Sequence, residues 1–273
     1  MSLELSVSCI AAPGARDADF FDLLEAEGIP RVDLAPTMID PDWERLGDAV
    51  LGAYRSHVEA RGLRVAGLQS LFYCVAGANI LGEAAAAQAF AAQMARLARI
   101  ATALGATRLV LGSPPNRRRG EREPAAAEAL FMERMAPICD AYLRQGLMVC
   151  LEANPPAYGC DFATHYDPAA ALVARMGHPA LKLNFDTGCA ALGGDDPVQL
   201  IRRHAGLFGH VHVSEPQLAS VADGAVDHFA AGRALREAGY DGVVCLEMRC
   251  VQADDPTALP RSVRLLKEAY LGA

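Results

Sequence analysis

ALKLNFDTGCAALGGDDPVQLIRRHAGLFGHVHVSE, residues 180–215, holds two short apolar runs with a helix-like segment between them. ALKLNFDTG (180–188) and LFGHVHVSE (207–215) have the length and apolar content of buried strands. Between them, Asp196-Pro197 reads as an N-cap followed by proline at the first helical position, opening a helix over 196–204. Strand, helix, strand is a parallel crossover unit. The same grammar recurs in both directions. Further strand-like runs are LELSVSCI (3–10), PRVDLAP (30–36), LRVAGLQSL (63–71), TRLVLGSP (107–114), GLMVCLEAN (146–154) and GVVCLEMRC (242–250). Helix candidates lie near 17–27, 41–61, 83–104, 121–145, 167–177, 227–239 and 256–271. Asp167-Pro168 repeats the N-cap signal, and Gly28, Gly62, Gly105, Gly146 and Gly239 each follow a helical run where a left-handed cap is wanted.

Eight strands alternating with eight helices predict an α/β chain folded as a single (β/α)₈ TIM barrel, one domain over residues 1–273. A doubly wound open sheet is the alternative. It calls for a glycine-rich phosphate turn after an early strand, and SVSCIAAPGAR (6–16) has no G-x-G-x-x-G.

Composition narrows the partners. The formal charge of −8 opposes a nucleic-acid partner, which needs a basic surface. Arg117-Arg118-Arg119, the longest basic cluster, reads as a solvated loop. No stretch offers 18 uninterrupted apolar residues, so no membrane span is expected. Met1–Ile10 alternates like a strand and lacks the charged start and apolar core of a secretion signal. The eight cysteines are scattered without a C-x-x-C pair, as reduced core thiols of a cytoplasmic protein would be. A homo-oligomer is left open.

Barrel chemistry sits at the C-terminal strand ends. The fifth strand ends in Glu152, the sixth in Asp186, the seventh in His212 and the eighth in Glu247. Singly, each has an ordinary reading: a rim glutamate paired to a loop arginine, an aspartate turning the chain before Thr187-Gly188, a core histidine. Together, on four consecutive strand ends after apolar stretches, they are costly to bury without a shared partner. Three carboxylates and one imidazole suit one hard divalent cation with open positions. Mn²⁺ is the first choice, with Mg²⁺, Co²⁺ or Zn²⁺ as alternatives. His210 shares a strand face with His212, one layer deeper, and reads as structural.

Glu152, Asp186-Thr187-Gly188, His210-Val211-His212 and Leu246-Glu247, with GYDG (239–242) before the last strand, resemble the xylose-isomerase-like sugar isomerase/epimerase superfamily. The resemblance is strong over residues 145–250 and extends to the whole chain by barrel layout. It implies that Glu152, Asp186, His212 and Glu247 bind one metal, and that Glu152 and Glu247 are the acid/base pair. It implies a small sugar or polyol substrate. The chain departs from the ketose-epimerase pattern at two places. Cys189 stands where many such enzymes have a histidine after the strand-six aspartate, and Leu218 where they have an arginine. A separate isomerase branch is therefore expected.

The chemistry these residues permit is proton transfer beside a carbonyl. A cation chelated by a carbonyl and the adjacent hydroxyl stabilises an enediolate. A carboxylate on each side then serves epimerisation, and one alone can serve aldose–ketose isomerisation. Substrate contacts are expected from Asn154 and Arg249, each two residues beyond a ligand glutamate, and from His165, Glu215, Gln69 and Cys189 around the mouth. The main alternative is a dehydratase of a keto-polyol or dehydroshikimate-like acid. It needs an acid aimed at the leaving oxygen, for which His165 and Cys189 are the candidates. A nuclease lacks its extra metal histidines here, and a non-catalytic barrel has no use for both glutamates.

Overall fold

Eight parallel strands hydrogen-bond in chain order and the first closes on the last. They are β1 (Glu4–Ser8), β2 (Arg31–Leu34), β3 (Arg64–Leu68), β4 (Arg108–Leu111), β5 (Met148–Glu152), β6 (Leu181–Asp186), β7 (Phe208–Val213) and β8 (Val243–Leu246). The structure, a computed structural model, describes residues 3–14 and 16–272. Met1 and Ser2, counted in the N-terminal alternation, lie outside them. The expected (β/α)₈ TIM barrel is what the chain forms.

The helices are α1 (Ala18–Ala26), α2 (Pro36–Ile39), α3 (Asp48–Glu59), α4 (Ala84–Leu104), α5 (Pro124–Leu143), α6 (Tyr166–Met176), α7 (Thr187–Leu192), α8 (Pro197–His204), α9 (His228–Glu237) and α10 (Ala258–Leu271). Asp196 caps α8 as expected, its Oδ1 accepting from the amides of Val198 and Gln199. The five glycines read as helix stops all have positive φ, Gly105 at 77° among them. Three expectations need correction. Asp167 is inside the first turn of α6, and His165 is its N-cap; the Asp167 carboxylate is drawn outward to Arg203 and His204. The helix expected over 41–61 starts only at Asp48, because Asp42 caps a 3₁₀ turn at Trp43–Arg45 and the Trp43 indole donates to the Tyr73 carbonyl. Finally, α2 and α7 were not expected. The latter starts directly at the end of β6, with Asp186 as its N-cap.

The main core lies between strands and helices. Phe185 of β6 stacks on Phe208 of β7 at 4.9 Å and meets Tyr166 of α6 at 5.0 Å. Leu24, Leu51, Leu97, Phe131 and Leu266 from five helices are fully buried, each contributing about 1.5–3 kcal/mol.

The sheet register slips twice. Along β2–β3, Val32 pairs with Val65 but Asp33 with Gly67. Along β6–β7, Leu183 pairs with Phe208 but Asn184 with His210, so Gly209 is the extra residue. A Cβ on Gly209 would lie 2.7–2.9 Å from Lys182, Cys150 and Met148.

Candidate metal centre at the barrel mouth

The register assembles the site. Glu152 pairs with Asn184, Asp186 with His212, and Val213 with Leu246, the residue before Glu247. The His212 Nδ1 atom lies 3.1 Å from Glu247 Oε2, 3.5 Å from Glu152 Oε2 and 3.8 Å from Asp186 Oδ2. Glu152, Asp186 and His212 each offer a ligand atom within 4.8 Å of the others. The four expected ligands are therefore neighbours, all buried except Glu247, which is half-buried.

Neighbouring side chains fix the carboxylates. Asn154 Nδ2 donates to Glu152 Oε1 at 2.6 Å, and Asn184 Nδ2 to Oε2 at 2.7 Å. Gln69 Nε2 donates to Glu247 Oε1 at 2.6 Å. Asp186 Oδ1 accepts from the Ser214 hydroxyl at 2.7 Å and the Cys189 amide at 2.6 Å. Gly112 keeps the approach open, since a Cβ there would meet Glu152 Oε1 at 2.9 Å.

The electrostatics are unbalanced. Burial, then the charges of Glu152 and Glu247, push the Asp186 carboxyl up to about 7. Burial would also raise Glu152, but the nearby His212 and the two asparagine amides hold it below its ordinary value. Burial opposes protonation of His212, but Glu247 and Glu152 raise it well above the usual range. One imidazole cannot neutralise three carboxylates, and neither of its nitrogens makes a hydrogen bond. The donor set thus fits a divalent cation in both charge and chemistry.

The site opens into a cavity of about 430 Å³, a size suited to a small ligand. Gln69, Asn154, Cys189 and Glu215 line it, as expected. The Glu215 carboxylate is turned into the following loop, accepting from the amides of Ala225 and Val226 and meeting His228. Two expected contacts lie elsewhere. Arg249 is exposed and outside the cavity lining. His165 lies 3.6 Å from Asp195, also outside it. Both lie past the strand ends, where spacing no longer dictates direction. Ser70, Ser113, Tyr158 and Gln217 line the cavity without having been anticipated. Asn184 was legible, since it shares a strand face with Asp186. Arg117 corrects the solvated-loop reading, being fully buried behind the wall.

One layer deeper, His210 Nε2 lies 3.0 Å from Asp33 Oδ2, without the alignment of a hydrogen bond. Ser6 donates to Asp33 Oδ1 at 2.5 Å. Burial pushes Asp33 up, but His210 and the Ser6 hydroxyl outweigh it and hold the carboxyl at about 2. This pair is fully buried, consistent with a structural role.

Residues 21–269 match the family model described as xylose isomerase-like TIM barrel. The chain belongs to that family. No curated protein matches it in sequence. Among solved structures, this xylose isomerase-like barrel is similar to D-allulose 3-epimerase from Methylomonas sp. at 17% identity, covering 98% of each chain with a TM-score of 0.79. It is similar to 3-keto-D-glucoside 4-epimerase from E. coli at 15% identity, covering 97% of this chain and 99% of that one, TM-score 0.76. It also resembles a probable 3-DHS dehydratase from Bacillus anthracis at 15% identity, covering 97% and 98%, TM-score 0.70. At these identities the likeness is one of fold. Cys189 and Leu218, the two departures from the ketose-epimerase pattern, both line the cavity.

Proposed function

We propose that this barrel is a metal-dependent isomerase or epimerase of an uncharged sugar or keto-polyol, working by proton transfer beside a carbonyl. The observation that carries the reading is the convergence of Glu152, Asp186 and Glu247 on His212 Nδ1, within 3.8 Å, on a small cavity. Glu152, Asp186, His212 and Glu247 would hold the divalent cation, Mn²⁺ by preference, which supplies Lewis-acid stabilisation of negative charge on substrate oxygens.

The protein's own groups then divide the work. Asn154 and Asn184 hold both oxygens of Glu152, which favours its ionised form. Gln69 holds Glu247 by one oxygen. The two glutamates extend from β5 and β8, with β6 and β7 between them. A substrate carbon between them exchanges a proton with either carboxylate. Two active carboxylates give epimerisation, and one gives isomerisation between adjacent carbons.

Apart from His212 at the cation site, no basic side chain is among the described residues lining the cavity, which supports an uncharged substrate. Away from the cation, a phosphate or carboxylate there would have no charge-assisted side-chain partner. Two observations weaken the dehydratase alternative. His165 lies against Asp195 outside the cavity, and burial pushes the Cys189 thiol well above its usual range. Neither offers a good acid for a leaving hydroxyl.

The test is to incubate the Mn²⁺-loaded protein in D₂O with neutral ketoses and with their phosphorylated counterparts. Deuterium on one carbon of a neutral ketose is expected. Exchange confined to phosphorylated sugars would overturn the substrate class, and turnover without solvent deuterium the proton-transfer reading.

A further inference from the structure

Arg117 is fully buried, yet among the described residues no carboxylate hydrogen-bonds its guanidinium. Each of its five N–H groups has an oxygen acceptor. Nε donates to the Gly112 carbonyl at 2.6 Å, and Nη1 to the carbonyls of Phe162 and Ala163. Nη2 donates to the Glu152 carbonyl at 2.8 Å and to Asn154 Oδ1 at 2.6 Å. Four of these bonds clamp main chain at the end of β5 and in the loops after β4 and β5. The fifth acts on a side chain.

That fifth bond has a directional consequence. A guanidinium can only donate. The Asn154 atom facing it must therefore be the amide oxygen, and the NH₂ must point the other way. There it meets Glu152 Oε1 at 2.6 Å. A half-turn of the Asn154 amide would set N–H against N–H at Arg117 and oxygen against oxygen at Glu152. Arg117 thus selects the one orientation in which Asn154 can hold Glu152. We propose that Arg117 is a positioning residue, acting through Asn154 to fix the carboxylate plane of Glu152 toward the cation site. This rests on the reading of Glu152 as a metal ligand.

The experiment is a double-mutant cycle on the full chain: wild type, Arg117→Met, Asn154→Leu and the double variant. Two quantities are read. One is Mn²⁺ affinity by calorimetry. The other is the Asn154 side-chain amide pair in ¹⁵N–¹H spectra of the metal-free protein, assigned by its loss in Asn154→Leu. Arg117→Met is expected to weaken Mn²⁺ binding about 10- to 100-fold, as loss of an outer partner does. It should also shift the Asn154 amide signals and speed their exchange. The double variant should bind Mn²⁺ no more weakly than the weaker single variant, because both break one chain of contacts. Additive losses with an unmoved Asn154 amide would overturn the proposal, leaving Arg117 as a loop clamp. If Arg117→Met does not fold, Arg117→Lys carries the same comparison, because a lysine lacks the planar fork that spans both Nη2 acceptors. A wild type that binds no Mn²⁺ would overturn the metal reading instead, and the amide signals alone would then decide whether Arg117 aims Asn154.

Discussion

His210 and His212 leave β7 on the same side with their rings 5.1 Å apart, yet they inhabit different electrostatic worlds. His210 faces one carboxylate, Asp33, which also takes a hydroxyl hydrogen bond from Ser6. His212 faces three carboxylates. The lower layer is one acid to one base and is closed by protein on all sides. The upper layer has two acids in excess and a cavity above it. Burying a polar residue is therefore not in itself a sign of function. The sign is a charge imbalance that the protein leaves uncorrected at a place that small molecules can reach.

The comparison can be broken from the top downward. Replacing Asp186 with Ala should abolish tight Mn²⁺ binding while the far-ultraviolet circular dichroism stays that of a folded barrel; full metal occupancy in this variant would remove Asp186 from the ligand set. Next, with Mn²⁺ in excess, Glu152→Gln and Glu247→Gln should each lower turnover by roughly two to four orders of magnitude, the usual worth of a positioned acid or base. In an epimerase each variant should still exchange hydrogen with one epimer only, and the two should be complementary. Wild-type rates in both would mean that neither glutamate carries protons.

A smaller effect follows from pH. The Asp186 carboxyl, raised to about 7 in the metal-free protein, must lose its proton to bind a cation. Protons therefore compete with metal below that pH. Calorimetric Mn²⁺ affinity should rise by at least about tenfold per pH unit from 5 toward 7 and keep rising above, because His212, also raised, must lose its own proton before it can ligate, with proton release detected by changing the buffer. A flat profile from 5 to 7 would mean the upper layer is not short of positive charge. The smallest effect belongs to the lower layer. Asp33→Asn should cost about 1–3 kcal/mol of stability in urea titrations, as disruption of a buried polar pair does, and leave Mn²⁺ binding in place. Loss of the metal in that variant would join the two layers into one unit.

Much of this is legible in the sequence alone. Alternation of short apolar runs with capped helical stretches specified the barrel, because parallel strands need covered crossovers. The four ligand candidates were legible because a strand end fixes both position and direction. That logic stops where the strand stops. Arg249 and His165 follow their strands through irregular loops, and neither faces the cavity. Arg117 was misread for a related reason. Three consecutive arginines look like solvent-facing charge, but the carbonyls of Gly112, Glu152 and Phe162 that draw the first of them inward come from the end of β5 and from loops after β4 and β5, far apart in the chain. Such a cluster of acceptors has no local signature.

Gly209 also sets the phase of β7. In a regular strand Phe208 and His210 would share a face. Here Phe208 stacks on Phe185 on the helix side, while His210 faces Asp33 inside the barrel. The inserted glycine is the half-step that lets one strand begin by facing the helices and finish by facing the barrel mouth. Side chains beyond the insertion inherit its parity. Pairing Gly209 into the ladder as an ordinary strand residue, without the bulge, would turn both histidines toward the helices and bring Val211 and Val213 to the barrel axis. The imidazole count of the polypeptide would be unchanged, but the upper acids would lose their only base. In this barrel, which residues face the candidate cation site is thus set partly by a residue that has no side chain.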